Sequence, residues 1–254
     1  MNKKLVFFDI DGTLVSHAGG SHVPEPTAEA VERLKQNGHT LAIATARNLA
    51  LTRKTAAFFG IDLLVCSNGA YVARADGAHE TCLHERLLSG EFVKVFRAEA
   101  FSLKSYALDT ENVYTEMDED YFEAFLVEQA GRDCRKSTAA AEGLQLACIF
   151  SPLPLRWCGH EGVDVVKTPR YTEFRPSGVS KWSGVVTAAE AAGFELQDVV
   201  TVGDGLNDIE MVRNASLGLA VGGANAELKK AADLVTGDID EGGILSAFRK
   251  LGLI

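Results

Sequence analysis

Short apolar runs alternate with amphipathic stretches near both ends of the chain, and the two periods predict different elements. Leu5-Val6-Phe7-Phe8 is continuously apolar, as a strand buried on both faces must be. Residues 27–37 then bring Ala28, Val31 and Leu34 onto one helical face, follow Pro24 and Pro26, and stop at Asn37-Gly38. A strand over 40–45, a helix over 48–59 closed by Gly60, and a strand over 63–66 continue the series. Strand, helix, strand, helix, strand implies parallel pairing. The rhythm returns later with a helix over 181–192, a strand over 199–202, a helix over 207–213 and short strands over 217–221 and 234–236. The expected core is a doubly wound, mainly parallel, Rossmann-like α/β sheet.

The middle of the chain, from about residue 73 to 175, has a different pattern. Alternating strands over 102–108 and 144–150 and helices over 89–98 and 118–130 predict an antiparallel sheet covered on one face, hence an α+β insertion. The units are drawn as a discontinuous core over 1–78 and 179–254 and an inserted domain over 79–178. Asn68-Gly69 is a turn signal near the exit, and Pro176, Ser177 and Gly178 mark the return.

Composition narrows the class. At 254 residues the chain exceeds a prior of roughly 150 residues per domain, which suits a large core plus a smaller unit. The net charge of -10 opposes a nucleic-acid groove or an anionic membrane surface as the main partner. Cys66, Cys82, Cys134, Cys148 and Cys158 are odd in number and form no CxxC pair, the usage of reduced thiols. Asp9 and Asp11 interrupt the first apolar run too early for a signal peptide, and no stretch approaches a membrane span. A cytoplasmic location is expected.

Chemistry enters where carboxylates end apolar strands. Asp9 and Asp11 fall at the carboxyl end of the first strand, where open parallel sheets place ligands. If the extended path continues, alternation points both the same way. Two like charges side by side call for a cation or a proton, although the same residues also suit a solvated Asp-rich turn closed by Gly12. Thr45 ends the second strand as an anion holder or as an ordinary turn residue. Lys181 follows Ser180, a helix cap, so a helix amino terminus and an ammonium coincide there. Gly203-Asp204-Gly205-Leu206-Asn207-Asp208 links a strand to a helix without a dinucleotide fingerprint and adds Asp204 and Asp208 at the same sheet edge. Four carboxylates against Lys181, with Arg47 as a second candidate cation, are best balanced by Mg²⁺, which takes roughly six oxygen ligands.

These segments together resemble the haloacid dehalogenase superfamily of phosphotransferases. Asp9-Ile10-Asp11-Gly12-Thr13-Leu14-Val15 is similar to its first motif, Thr45 to its second, Lys181 to its third and Gly203 through Asp208 to its fourth. The insertion after the third strand, the Ser67-Asn68-Gly69-Ala70 turn and the tail from Gly222 to Asp233 resemble the Cof-type subgroup, HAD-IIB, which carries a C2B cap. The resemblance implies that Asp9 is a nucleophile forming an aspartyl-phosphate and that Asp11 is the acid/base, with a pKa raised by Asp9 and desolvation. It also implies that Asp9, the Asp11 carbonyl and Asp204 bind Mg²⁺ with help from Asp208, and that Thr45 and Lys181 grip the phosphoryl oxygens. Asn207 is expected to support Lys181 or the phosphate. Trp182 departs from the small residue usual after the motif lysine, and the segment over 151–162, with Pro152 and Pro154, is too broken for a full cap helix.

The implied function is a Mg²⁺-dependent phosphatase for small phosphorylated metabolites, sugar phosphates among them. A phosphomutase of the phosphomannomutase type and a non-catalytic phospho-ligand binding module are the rivals. His84-Glu85-Arg86-Leu87 lacks the second His of a zinc protease, and Ser67 has no GxSxG frame. His84, Arg86, Arg156, Trp157, His160, Arg170 and Tyr171 are candidates to meet the leaving group, or simply to pack within the insertion. Substrate and oligomeric state are not specified by the sequence.

Overall fold

The structure, a computed structural model, describes residues 3–76, 79–99, 105–115, 134–135, 138–150, 159–168 and 171–254. In chain order the strands are β1 (Leu5–Phe8), β2 (Thr40–Ala44), β3 (Leu63–Cys66), β4 (Tyr71–Asp76), β5 (His79–Glu85), β6 (Ser105–Leu108) and β7 (Val113–Thr115). They continue with β8 (Cys134–Arg135), β9 (Leu146–Ile149), β10 (Val163–Lys167), β11 (Thr172–Pro176), β12 (Val199–Gly203), β13 (Leu217–Ala220) and β14 (Leu234–Val235). The helices are α1 (Glu25–Gln36), α2 (Leu49–Phe59), α3 (Gly90–Glu99), α4 (Lys181–Ala191), α5 (Ile209–Asn214), α6 (Ala226–Ala231) and α7 (Gly243–Lys250).

Eight strands form one sheet in the order β14-β13-β12-β1-β2-β3-β4-β5. Every pair from β14 to β3 is parallel, as the predicted alternation of strand and helix requires. The β4–β5 hairpin is antiparallel: the turn over Ser67–Gly69 reverses the chain, and Cys66 pairs with Tyr71. All four β1 residues are fully buried, which explains their unbroken apolar character. Register then aligns the strand ends. Phe8 faces Ile43 on one side and Val202 on the other, so the segments leaving β1, β2 and β12 emerge together at one edge.

A second sheet, ordered β10-β11-β9-β6-β7-β8, is antiparallel except for the β7–β8 pair. Its own core gathers Phe92 and Phe96 of α3 with Phe174 of β11, and the Phe92 and Phe174 rings lie 4.9 Å apart. The predicted strand over 144–150 contracts to β9, and the one over 102–108 is described from Ser105. The predicted helix over 118–130, Pro152, Pro154, Arg156, Trp157, Cys158 and Arg170 lie outside the described residues. Trp182 packs against the core of the large sheet. Among the described residues, no helix is long and apolar enough to cross a membrane.

Candidate active site

Asp9 follows β1 directly, and its amide donates to the Val202 carbonyl at 3.0 Å, extending the parallel ladder by one step. Its side chain is buried, and Lys181 explains how that is tolerated. Ser180 caps α4, accepting from the Ser183 amide while the Ser183 hydroxyl accepts from the Ser180 amide. Lys181, the first helical residue, thereby enters the site with a fully buried side chain. Its Nζ donates to Asp9 Oδ1 at 2.7 Å and to Asp208 Oδ1 at 2.6 Å.

Asp208 is fixed from both ends. Its Oδ2 accepts from the Asp204 and Gly205 amides, each at 2.9 Å, which tightens Leu206–Asp208 into a 3₁₀ turn ahead of α5. The predicted helix over 207–213 therefore begins as α-helix only at Ile209. Asp204 leans over the β1 loop: a Cβ on Gly12, whose φ is +79°, would lie 2.3 Å from Asp204 Oδ2. Only glycine permits that approach. Carboxylate oxygens of Asp9, Asp204 and Asp208 all lie within 4.8 Å of one another.

Three carboxylates around one ammonium leave an excess of negative charge, and the electrostatics record it. Burial pushes the Asp9 carboxyl well above its ordinary range; Lys181 opposes the rise, while Asp208, Asp204 and Asp11 add to it. Burial and Asp208 push Asp204 up to about 6. Burial works against the charge on Lys181, but Asp208 and Asp9 outweigh it and hold the ammonium more firmly than usual. Crowded, oxygen-only and net negative, the cluster fits a hard divalent cation.

Asp11 departs from expectation. Instead of sharing the cluster, its side chain is gripped by Arg47, with Nε to Oδ2 at 2.8 Å and Nη2 to Oδ1 at 2.5 Å, and is also met by His17 Nε2 at 2.9 Å. Burial pushes this carboxyl up, but the bonds and charges of Arg47 and His17 prevail and hold it below the ordinary range. The expected rise is thus reversed, because the neighbouring cations are closer than the neighbouring acids. Arg47 stands two residues after Thr45 and was legible as a cation near the site; its partner was not. His17 reaches Asp11 through the loop after β1, for which the sequence carries no periodic signal.

Thr45 is buried at the end of β2, and its hydroxyl oxygen accepts from the Arg47 amide at 3.2 Å. Asn207, expected to support Lys181 or the phosphate, donates through its Nδ2 to Asn68 Oδ1 at 3.0 Å. Asn68 in turn donates to Glu173 of β11 at 2.9 Å, a link that sequence reasoning missed. A cavity of about 560 Å³ runs beside this edge, with Lys167, Tyr171 and Arg175 on one wall and Asp204, Asn207 and Asn225 on the other. His84, Arg86 and His160 are not among its lining residues.

A family profile of haloacid dehalogenase-like hydrolases matches residues 6–140 and 163–248. YkrA of Bacillus subtilis, whose name assigns it to the phosphatases without a substrate, is 32% identical over the full length of both chains. A phosphoglycolate phosphatase of Archaeoglobus fulgidus is 26% identical, with 99% of this chain and 98% of the relative aligned. Among solved structures, the HAD subclass IIB sugar phosphatase BT4131 superposes with a TM-score of 0.82 and 27% identity, covering 99% of this chain and 100% of that one. The extent of the profile match and the full-length relatives agree with the strand-end geometry: the chain belongs to the haloacid dehalogenase-like hydrolases, in their subclass IIB phosphatase branch.

Proposed function

We propose that the chain hydrolyses small phosphomonoesters with Asp9 as nucleophile and Mg²⁺ as cofactor. The observation that carries this reading is the Asp9–Lys181–Asp208 arrangement, in which one ammonium holds a buried carboxylate at the end of the central strand. An attacking oxygen of Asp9 forms the new bond to phosphorus as the ester oxygen departs, and water then cleaves the aspartyl-phosphate. Lys181 and Thr45 hold phosphoryl oxygens and offset charge in the transition state.

Asp9, Asp204, Asp208 and the Asp11 carbonyl would hold Mg²⁺, which supplies charge neutralisation and orientation of the phosphoryl group. Asp11, kept ionised by Arg47 and His17, is in the form that can accept a proton from the attacking water, but the same grip makes it a weak base, so the transfer requires the grip to loosen. Donating a proton to the departing alcohol requires that the carboxylate first take one up, so both halves of the cycle work against the Arg47 grip. The boundary expected at 78/79 cuts the large sheet, because β5 (His79–Glu85) pairs with β4; the core is therefore drawn at 1–85 and 179–254 and the cap at 86–178, with the cavity wall of Lys167, Tyr171 and Arg175 selecting the leaving group.

The relatives named for sugar and phosphoglycolate hydrolysis support a phosphorylated metabolite as substrate. A phosphate-release screen over sugar phosphates, phosphoglycolate and other phosphorylated metabolites, with and without Mg²⁺, tests the reading. Mg²⁺-dependent release with one class preferred by kcat/KM supports it. Tight binding without release across the panel contradicts it.

A further inference from the structure

The Ser67–Gly69 turn touches three segments that build the candidate site: the loop after β2, the start of α4 and the 203–208 loop. Its backbone is unusual: Ser67 and Asn68 have φ of +48° and +53°, a conformation that non-glycine residues seldom adopt twice in succession. The Ser67 amide donates to the Arg47 carbonyl at 2.7 Å, and the Asn68 amide donates to the Thr45 carbonyl at 3.0 Å. Gly69, with φ of +97°, lies so close to the α4 cap that an added Cβ would stand 2.0 Å from the Ser180 carbonyl oxygen. The loop after β2 and the start of α4 are therefore both indexed against this turn.

Asn68 itself reaches in two directions. It is almost completely buried; its Oδ1 accepts from Asn207 in the 203–208 loop, and its Nδ2 donates to Glu173 Oε2 on β11. Glu173 is also buried, and its other oxygen faces Arg175 Nη1 at 3.7 Å. Arg175 lines the cavity. A continuous polar chain thus runs Arg175–Glu173–Asn68–Asn207 from the second sheet to the loop that carries Asp204 and Asp208. Every buried link costs free energy when it is left unpaired, so the chain favours one placement of the second sheet relative to that loop.

We propose that Asn68 is a positioning residue: through Asn207 it holds the 203–208 loop in its working geometry, and through Glu173 it makes that geometry depend on where β11 sits. The inference rests on the proposed phosphatase reading for its kinetic consequence only. The strained backbone supports it, because a turn that needed only to reverse the chain would be better served by glycine at residue 68.

Asn68→Gly removes the side chain while relieving the left-handed backbone, and a thermal midpoint near the parental one shows that the variant folds despite the lost Glu173 bond. In metal-free, substrate-free protein, hydrogen exchange at the 203–208 amides is expected to quicken in Asn68→Gly and stay close to the parent elsewhere. With p-nitrophenyl phosphate and Mg²⁺, kcat is expected to fall about tenfold with KM within about threefold of the parent. Glu173→Gln keeps an acceptor for Asn68 and should retain kcat within about threefold. Parental exchange at 203–208 in Asn68→Gly, or exchange quickened equally throughout the chain, overturns the proposal. A parent that releases no phosphate counts against the phosphatase reading instead, and the exchange measurement still decides this one.

Discussion

Arg47 holds both oxygens of Asp11, Nε to Oδ2 at 2.8 Å and Nη2 to Oδ1 at 2.5 Å, so the second aspartate of the opening pair is oriented by a guanidinium rather than by its neighbouring acid. A planar two-point grip fixes the carboxylate plane as well as its charge. Lysine cannot reproduce it. Arg47→Lys is expected to lower kcat on the order of tenfold and to move the acid limb of its pH profile upward, because Asp11 loses a group that keeps it ionised. Steady-state rates across pH, beside the parent, check both parts.

Lys181 poses a different test, because its side chain is fully buried between two acids. Replacing it by Met leaves Asp9 and Asp208 buried without their shared cation, at a cost of about 3–5 kcal/mol in unfolding free energy. Urea denaturation of Lys181→Met measures that loss. Adding Asp208→Asn to the same variant should recover part of the stability, since it removes one of the two stranded charges.

His39 ties the far end of the sheet together. Its Nδ1 accepts from the Lys4 amide at 3.0 Å, which puts the proton on Nε2 facing the Leu253 carbonyl at 3.1 Å. Burial lowers its pKa, the Leu253 bond raises it, and the charge of Lys4 lowers it further; the net direction is down. A folded-state pKa below the unfolded value means that the unfolded chain takes up more protons as pH falls through about 6.5, so the His39 contribution to stability is lost there. Asp204, with its raised pKa, acts in the opposite sense. The comparison must therefore be differential. Between pH of about 7.5 and 5.5, the parent should lose more unfolding free energy than His39→Gln does.

The sequence made the core legible because buried parallel strands write themselves as unbroken apolar runs. Leu5–Phe8 and Leu63–Cys66 were placed by that signal, and the acids at the strand ends stood out against it. The alignment of Asp9, Thr45 and Asp204 at one edge followed from parallel pairing. What the sequence withheld were contacts between side chains far apart in the chain. Nothing in the spacing of Asp11 and Arg47 foretold their two-point bond, so a raised pKa was inferred where a lowered one is found. Asn207 was expected to support Lys181 or the phosphate, and nothing in the spacing pointed to Asn68, which reaches it through a turn whose two positive φ angles no residue type in Ser67-Asn68 demands. Glu173 carries no signal of its own in the sequence, because alternation says which face a side chain takes, not what waits there.

The central claim is that Asp9 attacks phosphorus, and release of inorganic phosphate from p-nitrophenyl phosphate by the parent and Asp9→Asn, with and without Mg²⁺, tests it most directly. The substitution removes one of three crowded negative charges, so a thermal midpoint at or above the parental one should show the variant folded. The expected result is Mg²⁺-dependent turnover by the parent and a loss on the order of a thousandfold or more in the variant. Parental turnover by folded Asp9→Asn would contradict the account.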